Sequence, residues 1–87
     1  MPDNFITIVL SGHTLGYSVL LTKGPETSSQ IVRVEDIATY TANLAFSEQI
    51  NVVKIAGPKA LAASFSEDIL ETAKTEYGYN NLEIEVI

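Results

Sequence analysis

The side chains of this sequence that could do chemistry gather in two short turns. In the first turn, "SGHT", Ser11 and His13 could act as a nucleophile and its base. Such catalysis also needs an orienting acid and oxyanion donors that converge on the serine, and closeness within one turn supplies neither. We therefore expect no catalytic residue here, and a histidine that is exposed to solvent.

The second turn, "GPK", joins an apolar run to a predicted helix. Lys59 and the free N–H groups of a helix N-terminus attract anions, but the turn lacks the glycine-rich length of a phosphate-binding loop. In the simpler interpretation Gly57 permits the turn and Pro58 begins the helix, where its missing N–H costs nothing. The candidates for ligand binding in the two turns are Ser11, Gly12, His13, Thr14, Gly57 and Lys59.

The composition argues against a metal centre and against nucleic acid. The chain has no cysteine and one histidine, which excludes thiolate sites and disfavours histidine-based metal sites. Its net charge is −6, and its five basic residues are scattered, whereas binding a phosphate backbone needs clustered bases. The four tyrosines could stack on bases, but the basic groove of such a platform is missing. We expect no metal, no cofactor and no nucleic-acid partner.

Length and hydropathy point to one soluble unit. A chain of 87 residues is long enough for one domain, which we place at residues 1–87. No apolar run approaches the ~18 residues of a membrane span, and the start "MPDN" lacks the basic and apolar regions of a secretory signal. We expect a cytoplasmic protein without membrane contact.

The apolar patterns predict five strands and two helices. Residues 5–10 form a continuously apolar strand, typical of one covered on both faces, and residues 17–22 and 30–34 follow as strands after turn-rich breaks. A helix begins near Glu35 and Asp36 and runs to about Gln49, with an inward stripe at Ile37, Tyr40, Thr41, Leu44 and Ala45.

The second half of the chain repeats a strand-and-helix pattern. Residues 51–56 predict a buried strand, and a helix runs from Pro58 to Tyr77, before a left-handed cap at Gly78. Its predicted inward residues are Leu61, Phe65, Ile69 and Ala73. The closing "NLEIEVI" alternates, with Leu82, Ile84 and Val86 inward and the two glutamates outward, as suits an edge strand.

These elements predict an α/β fold with a single mixed five-stranded sheet. The first three strands form an antiparallel meander, and the helical crossovers add the last two in parallel, which gives the order 3-2-1-4-5 with the helices covering the sheet's faces. The first and fourth strands are then parallel neighbours, and the two turns described above meet at a topological switch point. The alternative is a ferredoxin-like α+β sandwich, which would need a helix before Glu35.

The succession of elements resembles the core of ribonuclease-H-like and actin-like domains over nearly the whole chain. The nuclease resemblance implies acids on the first strand, at the end of the fourth and in the first helix, which together hold two metal ions. Here the first strand has no acid, the fourth ends in Ala56-Gly57, and only Glu35 or Asp36 could match the third. Actin-like domains use an aspartate near the first hairpin, which is also missing.

We expect a non-catalytic protein-interaction module or a small structural or regulatory module, whose partner is another protein or, in a homo-oligomer, a second copy. Its interaction edge would be the last strand, with Leu82, Ile84 and Val86. One alternative is a small-molecule or anion-binding domain that uses the crevice between the two turns, and another is a degenerate nuclease. The chain also resembles small uncharacterised proteins encoded by tailed phages, which implies the host cytoplasm as its location.

Overall fold

The computed structural model describes residues 4–10 and 15–87, which form one mixed five-stranded sheet and two helices. The strands are β1 (Asn4–Val9), β2 (Tyr17–Lys23), β3 (Glu26–Val32), β4 (Val52–Ala56) and β5 (Glu83–Val86), and the helices are α1 (Ile37–Glu48) and α2 (Lys59–Tyr77). The strand order is β3-β2-β1-β4-β5, which confirms the predicted α/β topology.

The parallel pair of β1 and β4 forms the centre of the sheet. Ile6 and Ile8 of β1 lie beside Val53 and Ile55 of β4, and all four side chains are completely buried. β-Branched residues favour strands because they pack well on a pleated surface. The predicted proximity of segments 5–10 and 52–56 is therefore confirmed.

The hairpin between β2 and β3 is tighter than predicted. Lys23 pairs directly with Glu26 across a two-residue turn of Gly24 and Pro25, with Gly24 at a φ of 61°. A positive φ at the first turn position is the requirement of a type II′ turn, whose twist matches that of paired strands. The third strand consequently begins at Glu26, four residues before the predicted start. Sequence alternation misses this part because its side chains are polar and exposed.

Each of the two helices ends at a residue in the left-handed conformation. Gly78 follows α2 with a φ of 64°, and its N–H donates to Lys74 O, as predicted. Gln49 takes the same conformation after α1, and its side-chain amide donates to Phe46 O at 2.8 Å. A short 3₁₀ turn at Val34–Asp36 precedes α1, so the α-helix begins after the predicted acids.

Two details of α2 differ from the prediction. The helix begins at Lys59, so Pro58 occupies the position before the first helical turn. Ala62 rather than Leu61 points inward at the N-terminal end, and Leu61 is 37% exposed. The small side chain lies where helix and sheet approach, and the inward stripe then continues as predicted through Phe65, Ile69 and Ala73.

Both helices pack on the same face of the sheet. Ile6 and Ile8 belong to one buried cluster that contains Ile37 of α1 and Ile69 of α2. The alternate β1 side chains Phe5, Thr7 and Val9 point to the opposite face and remain partly exposed. The predictions that the helices cover both faces, and that the first strand is covered on both sides, are therefore wrong.

The physical reason is the direction of the two crossovers. The chain passes from β3 across the sheet to β4, and then from β4 to β5, so both steps move the same way. Parallel crossovers are right-handed in nearly all proteins. Two right-handed crossovers in one direction place their helices on one side, so neither helix of the described residues covers the other side of the sheet.

Gly57 allows the end of β4 to approach β1. Its φ is 155°, and a Cβ on Gly57 would lie 2.7 Å from Leu10 Cβ.

We expect Gly57→Ala to lower the free energy of unfolding by about 2–4 kcal/mol, through backbone strain and overpacking. Gly78→Ala is the control, since nothing lies within 4 Å of its Cβ position, and we expect about 1 kcal/mol there. Urea denaturation measures both, and equal losses would contradict the close packing.

Candidate functional site

The structure describes one side of the predicted crevice. Ser11, Gly12, His13 and Thr14 lie outside the described residues. The described side is the bend at Gly57. There, Leu10 N–H donates to Ala56 O at 2.8 Å, which continues the pairing of β1 and β4 to the end of both strands. Leu10 is 6% exposed and packs against Gly57. The Leu10 side chain, which directly follows β1, therefore occupies the bend after β4.

Lys59 begins α2 as an exposed residue. It makes no ion pair with any residue in the described part of the chain. Among residues 4–10 and 15–87, no group of three or more His, Asp or Glu side chains is arranged to hold a metal ion. Glu35 lies in the 3₁₀ turn, and its Oε1 is 4.0 Å from Arg33 Nη1 in an exposed ion pair. The structure therefore brings Gly57 close to β1 and leaves Lys59 at the surface.

Three aromatic rings join the ends of the two helices. Phe46 of α1 stacks on Tyr77 of α2, with ring centroids 5.1 Å apart, and meets Tyr79 edge-on at 6.0 Å. Asn43 Nδ2 donates to the Tyr77 hydroxyl at 2.9 Å across a shallow groove. These contacts fasten α1 to α2, as expected for tyrosines that flank a helix cap.

Tyr79 is the buried member of this cluster. Its hydroxyl lies 2.9 Å from Ile50 O and 2.7 Å from Asn51 Oδ1, and it donates its proton to one of these acceptors. Burial raises the pKa of Tyr79 above its usual value, because the charged phenolate would be desolvated. The hydroxyl therefore acts as a structural donor that anchors the connection between α1 and β4.

A chemically distinctive surface is the sheet face that lies opposite the helices, which we call the open face. Apolar side chains from all five strands or their ends reach it: Phe5, Val9, Leu20, Ile31, Val52, Ala56 and Ile87. None of them belongs to the core cluster or packs against it. Threonines interleave with them, among them Thr7 of β1 and Thr22 of β2.

Charge is distributed unevenly on the open face. Glu83 and Glu85 of β5 lie at one border, where they are exposed. Lys54 of β4 lies beside Glu85 in the parallel register, and its Nζ is 4.3 Å from the ring centroid of Phe5. This cation–π contact holds the ammonium against its own sheet. The opposite border, formed by Thr27, Ser29 and Ile31 of β3, carries no charge.

The predicted interaction edge lies at the border of the sheet, since β5 pairs with β4 alone. Leu82 is buried (7% exposed) and Ile84 packs against the core, whereas Val86 is 44% exposed. The side chains of Leu82 and Ile84 therefore contribute to folding. What β5 presents outward is its backbone and the side chain of Val86.

Sequence reasoning missed the open face, although a signal for it was present. The apolar run at residues 5–10 is typical of a strand covered on both sides, whereas the strand order and the handedness of the crossovers imply that the helices cover only one face. No family model matches the chain, and no curated protein matches it in sequence. In the described part of the chain, neither helix combines the length and the apolar character needed to cross a membrane.

Removal of the Tyr79 hydroxyl tests its anchoring role. We expect Tyr79→Phe to lower the free energy of unfolding by about 1–2 kcal/mol, because a hydrogen bond of a buried side chain is removed. Tyr77→Phe is the control, since its hydroxyl hydrogen bond is exposed, and we expect about 0.5 kcal/mol there.

The pH dependence of the same variants gives a second readout. The folded-state pKa of Tyr79 is raised, so its contribution is fully present below pH about 10 and is lost as pH rises through the folded value. Tyr79→Phe should therefore lose less stability between pH 9 and 11 than the wild type does. Parallel curves of unfolding free energy against pH would contradict this assignment.

Proposed function

We propose that this chain is a non-catalytic protein-interaction module that binds another protein, or a second copy of itself, through the open face of its sheet. The observation that carries the proposal is the apolar surface on that face. It combines side chains from every strand or its end, and the core does not use them.

An apolar surface of this kind is unusual for a chain that works alone. Single exposed apolar residues are normal, but contiguous apolar patches of several hundred Å² usually mark an interaction site. Ile31 and Ile87 are 43% and 64% exposed at the two borders, and Phe5, Val9 and Leu20 between them are partly exposed. The net charge of −6 favours solubility of the free chain.

The layout of the open face also fits a binding surface. Its centre combines apolar side chains with hydroxyl groups and Lys54, while exposed acids lie at one border, which resembles the apolar core and polar rim of interfaces. The partner would present apolar side chains to the centre. A second copy and an unrelated protein are both compatible with this chemistry.

The edge of β5 provides a secondary surface. Its outer backbone groups could pair with a strand of a partner. Antiparallel pairing of β5 with β5 of a second copy would place glutamates of both copies on one side of the sheet, where like charges repel. Strand addition at this edge therefore favours a partner without acids.

We further propose that the protein acts in the cytoplasm, in the host if a phage encodes it, on the basis of the sequence resemblance.

Substitution of Leu20 tests the proposed surface. The immobilised chain is screened against a library of random peptides, and its self-association is followed by light scattering. We expect the wild type to retain peptides or to associate with itself. Leu20→Lys should weaken either interaction at least about tenfold, because a charge at the centre of an interface is desolvated.

Leu61→Lys is the matched control. Leu61 is exposed on α2, on the helix side of the sheet, so this variant adds the same charge away from the open face and should bind as the wild type does. A wild-type chain that stays monomeric and retains no peptide would contradict the proposed function. Binding that Leu61→Lys removes and Leu20→Lys preserves would contradict the proposed surface.

A further inference from the structure

We propose that a second copy of this chain covers the open face, and that the two copies are related by a two-fold axis parallel to β1. The inference rests on the proposed function, and it identifies the partner and the geometry. In this arrangement the two sheets stack face to face with their strands aligned, as in β-sandwiches. β1 lies over β1 of the second copy, β2 over β4, and β3 over β5.

The open face is large enough for a dimer. Strand spacing and rise give five strands of about six residues a face of about 24 Å by 20 Å, or about 500 Å² for each copy. Two copies then bury about 1,000 Å², the size at which specific interfaces begin. The expected dimer is therefore concentration-dependent rather than permanent.

The acidic border selects the direction of the axis. An axis perpendicular to the strands would place each strand over itself, so Glu83 and Glu85 would face the same residues of the second copy across about 10 Å. An axis parallel to β1 places the two acidic borders on opposite sides of the dimer, about 20 Å apart. That separation exceeds the screening length of about 8 Å at physiological ionic strength, so the repulsion is lost.

The register brings compatible side chains together. The strand pairing places one residue of each strand in a row across the sheet, and residues of one row are at the same level along the strands. One such row contains Glu85, Lys54, Thr7, Leu20 and Ser29. A two-fold axis parallel to the strands preserves these levels, so Glu85 of one copy lies over Ser29 of the other. The hydroxyl of a serine can donate to a carboxylate.

Because the axis preserves these levels, it also brings the most exposed isoleucines of the open face together. Val9 lies at the level of Ile31 through β2 and at the level of Ala56 through β4. Ile87 follows β5 at that level, and its N–H donates to Ile55 O. Ile31 of one copy therefore lies over Ile87 of the other, on both sides of the dimer. This pairing buries two apolar side chains that the single chain leaves in water.

The lysine near the centre does not prevent this packing. Lys54 lies at the level of Leu20, which faces it from the second copy. Its ammonium leans over Phe5 of its own sheet, and its neighbour Glu85 carries the opposite charge. The methylene stem of lysine then presents apolar surface to Leu20.

Cysteine cross-linking tests this geometry, because the natural chain contains no cysteine. Ser29→Cys and Glu85→Cys are made as single variants of the full chain, mixed, and treated with a bismaleimide whose spacer is about 10 Å, the distance between stacked sheets. We expect covalent dimers of one variant with the other. We expect few dimers of Glu85→Cys with itself, and light scattering should show the wild type approaching twice the monomer mass as its concentration rises.

Other cross-linking products would overturn the proposal. Dimers of Glu85→Cys with itself indicate the perpendicular axis or pairing of β5 edges, and dimers of Ser29→Cys with itself indicate the perpendicular axis or pairing of β3 edges. A third variant carries both Ser29→Cys and Glu85→Cys. If it gives a series of cross-linked oligomers larger than a dimer, and light scattering shows masses above a dimer, β3 pairs head-to-tail with β5. Ile31→Lys should lower the dimer fraction at least about tenfold, with circular dichroism showing that the variant folds.

The outcome also separates this inference from the proposed function. A chain that stays monomeric at about 1 mM overturns the dimer. If that monomer retains peptides that Leu20→Lys releases, the open face still binds proteins and the proposed function stands. If it retains none, both fail together.

Discussion

The handedness of the two helical crossovers determines which surface of this protein is open. Both crossovers carry the chain in the same direction across the sheet, from β3 to β4 and from β4 to β5. Because such connections are right-handed, α1 and α2 must lie side by side over one face. The described residues form a single helical layer, and neither of their helices lies on the second face of the sheet.

The core follows from this arrangement. The buried side chains of β1 and β4, with 0% exposure at Ile6, Ile8, Val53 and Ile55, meet the inward stripes of both helices. The molecule is accordingly thin, 20 Å in its shortest dimension against 32 and 31 Å in the others. A chain of this size can form one apolar core layer. The remaining apolar side chains of its strands lie outside that core.

Much of the fold could be predicted because local patterns and global topology agree. The alternation at the C-terminus identified β5 and its outward glutamates, and Gly78 marked the end of α2. Glu26 to Ser29 escaped detection because an exposed polar strand has no hydrophobic alternation. The sequence pattern predicts Leu61 as an inward residue, whereas the structure buries its neighbour Ala62 completely and leaves Leu61 37% exposed.

The candidate site was harder to predict than the fold. Polar residue types drew attention to the turns, yet the described bend at Gly57 is filled by Leu10. The open face consists of ordinary strand residues such as Val9 and Leu20, whose types do not distinguish a surface that faces a helix from one that faces a partner. Only the placement of both helices on one side makes that distinction.

The most direct test of the central claim is an isotope-filtered NOE measurement on a mixture of labelled and unlabelled chain at about 1 mM. The account predicts intermolecular NOEs from the Leu20 methyl groups to Val52 and Ala56 of the second copy, since β2 then lies over β4. Intermolecular NOEs confined to helix residues such as Leu61 and Leu70, or none at that concentration, would contradict it.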